Sequence, residues 1–179
     1  FSAITNNDKV GVIFFSKNIE KFIPPQHGRT HILRIIRELI NHEPTDKQTD
    51  VSEALRYLSN AIKKRCTAFV ISDFLDQNFE TALKIAKNKH DIVAIQTMDK
   101  GEFAFPRMGL LQIKDAESGK ISLIDTSDKA FQNSYVQWWK NKEKQLQNVF
   151  QKTGVDHVKL FTDKDYVPAL KNLFLKRSV

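Results

Sequence analysis

One carboxylate interrupts an apolar stretch of the sequence, TAFVISDFLD at residues 67–76. Asp73 directly follows a run that predicts a buried strand over residues 66–72. In an open parallel sheet, ligands bind in the crevice beyond the carboxyl ends of the strands. A carboxylate there can bind a hard cation, cap a neighbouring helix or hold a loop. Capping or loop anchoring is the default interpretation, and Asp73 is the first candidate site residue.

The other reactive residue types form no catalytic pattern. The five histidines have no metal-ligand spacing, and the single cysteine, Cys66, excludes an internal disulfide and is expected to be a small core residue. The sequence has neither a glycine-rich phosphate loop nor a serine nucleophile elbow. We therefore expect that the chain is not an enzyme. Trp138 and Trp139 are adjacent on a predicted helix, so one should pack inside while the other lies at an edge or an interface.

Composition favours one globular domain. The chain has 179 residues, of which 41% are hydrophobic and 27% charged, and no apolar run reaches the length of a membrane span. The formal net charge of +7 suggests nucleic acid or an anionic membrane as a partner. However, the lysines and arginines are spread along the chain among acids and amides, which favours a solvated surface.

Strand and helix patterns alternate in the first half. Predicted strands cover 9–16, 19–24, 66–72 and 91–97. Three predicted helices begin after Thr30, after Asp50 and at Asn78. The first helix has an apolar stripe formed by Ile32, Leu33, Ile35, Ile36 and Leu39. Asp50 is expected to cap the second helix, with Glu53 three residues on as in a capping box. This alternation predicts a three-layer α/β sandwich in which 9–16, 66–72 and 91–97 run parallel, and 19–24 is an antiparallel edge strand that stops at two prolines.

The second half begins with a different pattern. Residues 109–125 predict a hairpin with a turn at Glu117–Ser118–Gly119. Ser127 or Asp128 should cap a long helix over 129–152, which Gly154 ends. DHVKLF predicts a last strand, and the last helix can hold Pro168 only in its first turn.

Several of these segments together resemble a known family. NNDKVGVIFFS, IPPQHGRTHILRIIREL, TDVSEALRYL and FVISDF are similar, in that order, to a von Willebrand factor A-like domain, and most of all to the bacterial family called Domain of Unknown Function 58. MGLLQIKDAESGKISLIDTSD and FTDKDYVPALKNLF resemble its C-terminal part. The resemblance implies a Rossmann-like sandwich with a mainly parallel sheet. It also implies that 1–179 is a single-domain fragment, with 1–98 as the core and 99–179 as its extension.

The resemblance also implies a metal-ion-dependent adhesion site. Such a site combines an Asp-x-Ser-x-Ser loop after the first strand, a threonine in a second loop, and an aspartate at a later strand end. Thr49 in QTD and Asp73 in ISDF match the last two elements, and their oxygens suit Mg²⁺. No Asp-x-Ser-x-Ser precedes KVGVIFF, so the site is expected to be incomplete. We expect no cofactor in this chain, and Mg²⁺ in the full-length protein.

The first ten residues, FSAITNNDKV, look like the last turn of a helix followed by a turn, so we expect this chain to be a piece of a longer protein. Loss of the first strand would leave 9–16 and 66–72 each without a neighbour. Either they pair with each other or another chain fills the gap, and we favour a homo-oligomer or strand exchange because unpaired edges readily take up strands.

For function, the resemblance implies a non-enzymatic protein-interaction module that acts with a MoxR-type AAA+ ATPase in a chaperone-like or assembly role. The alternative is a basic surface that binds nucleic acid or an anionic membrane. The positive net charge is the one feature that supports this alternative. Nucleic acid is not favoured as a partner. Membrane association would come through segments that precede Phe1 in a longer protein. The expected location is the cytoplasm or the inner face of the membrane.

Overall fold

The computed structural model describes residues 2–115 and 119–177, which form a mixed α/β fold. The helices are α1 (Ser2–Thr5), α2 (Arg29–Asn41), α3 (Val51–Ala61), α4 (Glu80–Lys89), α5 (Lys129–Thr153) and α6 (Val167–Arg177). The strands are β1 (Val10–Phe15), β2 (Ile19–Gln26), β3 (Thr67–Ser72), β4 (Asp91–Met98), β5 (Leu110–Lys114), β6 (Ile121–Asp125) and β7 (Asp156–Phe161). A single 3₁₀ turn, Lys100–Phe103, follows β4. The predicted turn residues Glu117 and Ser118 lie outside the described residues.

The central sheet is parallel and has the order β3-β4-β7. Its middle strand β4 is buried along most of its length, which fits the almost continuous apolar run DIVAIQTM and confirms the predicted strand over 91–97. The predicted last strand is β7, which pairs in parallel with β4 from Val93 opposite Asp156 to Met98 opposite Phe161. The predicted α/β class with a parallel sheet is therefore confirmed.

Helices cover both faces of this sheet. On one face, α3, α4 and α5 enclose the main core with the inward residues of β3 and β4. This core consists of Val51, Leu55, Val70, Phe74, Phe79, Ala82, Leu83, Ala86, Ile92, Ala94, Leu146, Phe150 and Val155. On the other face, Leu173 of α6 packs with Val93 and Ile95. On β4, Ile92 and Ala94 belong to the first core and Val93 and Ile95 to the second, because successive side chains of a strand point to opposite faces.

β1 and β2 form a separate antiparallel pair, which confirms the antiparallel edge strand, but the prediction that this strand stops at the two prolines was wrong, since β2 continues through both to Gln26. The prolines are tolerated because the outer edge of β2 needs no N–H groups for a further strand, and because the pairing with β1 is irregular opposite them, between Val10 and Val12. Gly11 allows β1 and β2 to approach each other closely, since a Cβ at this position would lie 2.9 Å from the carbonyl oxygen of Ile23 and from the nitrogen of Pro25. The pair is joined to the rest of the fold where the Asp50 N–H donates to the Ser16 carbonyl at 3.0 Å.

Two predictions of placement were wrong. Segment 9–16 does not lie in the parallel sheet, because β1 pairs with β2 alone among the described strands and does not pair with β3. Strand 66–72 is not fully buried, since Phe69 and Ile71 remain 46% and 60% exposed. The predicted helix with an apolar stripe is α2, and this stripe is largely open, with Leu33, Ile36 and Leu39 exposed. No described element fully covers the apolar surfaces of β3 and α2.

The C-terminal elements follow their local signals. β5 and β6 form the predicted hairpin. The Asp128 side chain accepts a hydrogen bond from the Ala130 N–H at the start of α5, and Gly154 ends that helix with a left-handed φ of 64°. Pro168 lies in the first turn of α6. The guanidinium of Arg177, at the end of α6, binds Asp91 and Asp156 and so ties this helix to the starts of β4 and β7.

Candidate functional site

Asp73 lies directly after β3, at the carboxyl end of the parallel sheet, and its side chain is exposed. The next residue, Phe74, has a left-handed backbone with φ of 56°, which costs a non-glycine residue about 1–2 kcal/mol. The Phe74 ring is buried, with centroids 5.6 Å from Phe79 and 5.3 Å from Phe150. Burial of the ring offsets this strain. The apolar run can therefore end on a carboxylate because the chain turns sharply there and leaves Asp73 at the rim.

The carboxylate of Asp73 anchors its own loop. Its Oδ1 accepts hydrogen bonds from the Leu75 N–H at 3.2 Å and from the Ser72 hydroxyl at 3.4 Å. Its Oδ2 has no partner in the part of the chain that the structure describes. A crevice of about 10 Å³ lies beside it, roughly the space for one water molecule. The side-chain oxygen of Gln96 is buried there without a partner among the described residues, so a water bound at this point would satisfy it.

A second rim carboxylate, Asp99, follows β4. Its Oδ2 accepts from the Thr162 hydroxyl at 2.7 Å, and its Oδ1 accepts from the Gly101 N–H at 2.7 Å. The hydroxyl of Thr162, followed by the Gly101 N–H, lowers the pKa of Asp99. Asp99 therefore stays ionised and holds the loops after β4 and β7 together. Asp99 is not among the site residues predicted from the sequence, although its position directly after a strand is the same signal that identified Asp73.

Thr49 lies in the loop before α3. Its side chain is half-buried and makes no hydrogen bond to another described residue. Two residues further on, the Val51 N–H donates to Asp76 Oδ2 at 2.8 Å. Asp76, which sequence reasoning missed as a site residue, therefore joins the loop that contains Asp73 to the start of α3. The predicted pair thus occupies two loops that a hydrogen bond connects.

The described residues do not form a complete cation site. No group of three or more histidine, cysteine, aspartate or glutamate side chains in residues 2–115 and 119–177 could hold a metal ion. One oxygen of Asp73 is already used within its loop. Mg²⁺ needs near-octahedral oxygen coordination, and Thr49 with Asp73 supplies too few donors. Their role as metal ligands stays a prediction.

An apolar groove lies beside this rim, between α5 and the 3₁₀ turn. Trp139 is 9% exposed, whereas the adjacent Trp138 is 44% exposed; the prediction that one tryptophan packs inside and the other lies at an edge is confirmed. Trp139 and Glu143 line both the groove and the crevice beside Asp73. Burial lowers the pKa of Lys159, which forms an ion pair with Glu143. No residue spacing could have revealed this groove, because its two walls come from separate elements.

A second apolar surface lies on β3. Phe69 and Ile71 point to the same side of the strand, on the face that α6 covers further along the sheet. The ring of Phe174, on α6, has its centroid 6.1 Å from that of Phe69 and is 44% exposed. These three side chains form a partly open apolar patch, called the β3 patch below.

A parallel sheet with helices on both faces and polar loops at its carboxyl end defines the chain as an α/β domain. The chain belongs to the family described as "Protein of unknown function DUF58", which it matches over residues 1–145. This confirms the predicted family. The von Willebrand factor A-like character and the MoxR association stay predictions.

Related proteins carry no stated activity. The chain is 24% identical to "Uncharacterized protein Mb1516" of Mycobacterium bovis over 148 residues, which make up 81% of this chain but 46% of that protein. It is 23% identical to "Uncharacterized protein MAV169" of Mycobacterium avium, covering 81% of this chain and 87% of that one. The chain thus spans about half the length of the longer relative.

Two solved structures share the fold. An aerotolerance-related membrane protein from Bacteroides fragilis matches with a TM-score of 0.58 at 15% identity, over 96% of this chain and 80% of that one. The conserved hypothetical protein BatB from Bacteroides thetaiotaomicron matches with a TM-score of 0.55 at 14% identity, over the same shares. None of the helices within residues 2–115 and 119–177 of this chain combines the length and the apolar character that a membrane span requires.

Proposed function

We propose that the chain is a non-enzymatic protein-interaction module, and that a partner protein docks on the β3 patch. The observation that carries this proposal is the exposure of Phe69 and Ile71, at 46% and 60%, on one face of a strand at the edge of the parallel sheet. Clustered large apolar side chains on a surface mark sites of protein contact. The cost of exposing them to water is removed when a partner covers them.

The partner that we propose is a MoxR-type AAA+ ATPase, with which the module would act in a chaperone-like or assembly role in the cytoplasm or at the inner face of the membrane. Resemblance to the family supports this partner. In a longer chain with further oxygen ligands, Thr49 and Asp73 would help to hold Mg²⁺, whose open coordination position could take a carboxylate of the partner. The exposed, partly unpaired carboxylate of Asp73 is consistent with that role.

We also propose that another strand pairs between β1 and β3. β1 pairs with β2 alone, and β3 pairs with β4 alone, so each has an open ladder edge within the described chain. Phe15 of β1 packs against the same main core that contains Val70 of β3, which keeps both edges attached to one core. Open edges favour strand addition from a second copy. Sedimentation equilibrium should then detect a dimer, and a monomer at all concentrations would contradict this proposal.

The function is tested by calorimetry with a purified MoxR-type ATPase from the same genome. Phe69→Ser together with Ile71→Ser should weaken binding at least tenfold, because two exposed apolar side chains lose their contact area, worth about 1.5–3 kcal/mol each when fully buried. Leu123→Ser, on a hairpin side chain that is 71% exposed, is the matched control. If the two variants bind alike, the β3 patch is not the docking surface. If the ATPase does not bind at all, the proposed partner is wrong.

The same purified variants also test the alternative function, in which a basic surface binds nucleic acid or an anionic membrane. Binding to single-stranded DNA or to anionic vesicles that falls steeply with salt would support the basic-surface interpretation, since phosphate contacts release counterions. A protein contact bridged by metal would respond to EDTA instead.

A further inference from the structure

The groove between α5 and the 3₁₀ turn has an aromatic floor. The ring centroids of Phe103 and Trp139 lie 4.9 Å apart at an interplanar angle of 49°, and Val136 adds an aliphatic wall. The cavity measures about 380 Å³, within the range of ligand pockets but near its lower end. A space of this size and character suits one large apolar side chain rather than an extended ligand.

The rim of the groove is positively charged. Lys140 and Lys144 lie one turn apart on α5, are exposed, and form no ion pair with a described carboxylate. Among the described residues that line the groove, Glu143 is the one carboxylate, and its charge is balanced by Lys159. The rim therefore presents two unbalanced positive charges above an apolar floor.

We propose that this groove binds an acidic peptide segment of a partner protein, which inserts one aromatic or large aliphatic side chain against Phe103 and Trp139. Lys140 and Lys144 are separated by about 6 Å along the helix. Carboxylates two residues apart on an extended peptide are separated by about 6.6–6.8 Å, which matches the two lysines. The sequence pattern that fits is acidic-x-acidic-x-apolar, because these three side chains share one face of the extended peptide.

A peptide fits this site better than a nucleic acid strand does. Bases bind single-strand proteins by stacking on exposed aromatic faces along a basic track. Trp139 is 9% exposed, which leaves an accessible part of the ring too small for a base to stack flat on it, and two lysines make a short rim. This inference deepens the proposed protein-interaction function by naming the chemistry of the segment recognised. The groove is separate from the β3 patch, so the two can fail independently.

The test uses the chain with Trp138→Phe, so that Trp139 is the one remaining tryptophan. The probe is a pentapeptide, Glu-Ser-Glu-Ser-Phe, blocked at both ends and followed by Trp139 fluorescence. We expect a saturable change in emission that weakens as salt rises. Lys140→Glu with Lys144→Glu should weaken binding about tenfold, because two surface ion pairs are lost. Lys140→Gln with Lys144→Gln serves as a milder pair, and circular dichroism verifies that each variant is folded.

Two control peptides and one control variant make the result specific. Replacing both glutamates with lysine, or the phenylalanine with serine, should abolish the saturable change. Lys152→Glu with Lys171→Glu alters the net charge equally at exposed sites on α5 and α6 that do not line the groove, and should leave binding unchanged. No saturable change with the original pentapeptide up to millimolar concentration, or equal weakening by this distant pair, would overturn the proposal. Stronger competition by oligothymidylate than by the peptide would assign the groove to nucleic acid instead.

The results distinguish a failure of the groove proposal from a failure of the proposed function. If the ATPase binds through the β3 patch but the pentapeptide does not bind, the groove inference falls and the function stands. If the pentapeptide binds but the ATPase does not, the groove is a peptide site and the proposed partner is wrong.

Discussion

The most direct test of how the two halves of the chain cooperate is Phe150→Ala. Phe150 lies on α5 and is 1% exposed. It packs in the main core with residues of α3, α4, β3 and β4. A fully buried phenylalanine removes about 150–250 Å² from water, which at about 25 cal/mol per Å² corresponds to about 4–6 kcal/mol. Measured substitutions of this type cost about 3–5 kcal/mol. The ring also loses its edge contact with Phe74, whose centroid is 5.3 Å away.

The expected result is a decrease of about 3–5 kcal/mol in the free energy of unfolding, a large fraction of a typical total. With a urea m-value of about 2 kcal/mol/M, the midpoint falls by about 2 M. Tryptophan fluorescence reports on α5 and far-ultraviolet circular dichroism reports on the whole chain, and the two transitions should coincide. Phe174→Ala, on a ring that is 44% exposed, is the control and should cost less than half as much. Separate transitions by the two probes, or a loss under about 1.5 kcal/mol, less than the usual cost of such a truncation, would refute the view that 1–98 and 99–179 share one core.

Two further changes test particular contacts. Gly11→Ala would place a Cβ 2.9 Å from backbone atoms of β2 and should lower the free energy of unfolding by about 1–3 kcal/mol; an unchanged thermal midpoint would contradict that packing. The hydrogen bond from Arg177, at 2.5 Å, lowers the pKa of Asp91, so its stabilisation is present above the unfolded pKa of about 4 and is lost as pH falls below that value. Asp91→Asn should therefore cost about 1 kcal/mol at pH 7, allowing for solvent screening, and almost nothing near pH 2 in urea titrations. A difference independent of pH would show that the carboxylate charge does not matter.

Local signals predicted the elements that depend on local physics. The cap at Asp128 and the left-handed end at Gly154 are fixed by hydrogen bonds and backbone sterics within a few residues, so the bounds of α5 followed from the sequence to within a residue. β4 was also predictable, since a run that is apolar on both faces fits a strand that is covered on both sides.

The sheet membership of 9–16 and the burial of 66–72 could not be predicted in the same way. β3 is apolar on both faces, with Val70 on one and Phe69 and Ile71 on the other. Sequence pattern cannot tell whether another element covers the second face, because coverage depends on contacts distant in the chain. The same reason applies to α2, whose stripe is apolar but largely exposed.

In the candidate site, too, the part that depends on local sequence was predictable and the contacts between distant residues were not. Asp73 was located from the end of one apolar run. The bond from Val51 to Asp76 spans 25 residues, and the contact of Phe103 with Trp139 joins two separate elements. Neither has a characteristic spacing, so both became visible only once the fold had brought their elements together.

The length of α5 has a consequence for local dynamics. Its 25 residues span about 37 Å, but its buried side chains, Trp139, Leu146 and Phe150, all lie in the C-terminal two-thirds. Amide protection against hydrogen exchange should therefore rise along the helix, from low values near Lys129 to nearly the global value around Phe150. The groove lies at the midpoint of this gradient, where a ligand that orders one or two turns would extend slow exchange toward the N-terminal end of α5 without any shift in the backbone.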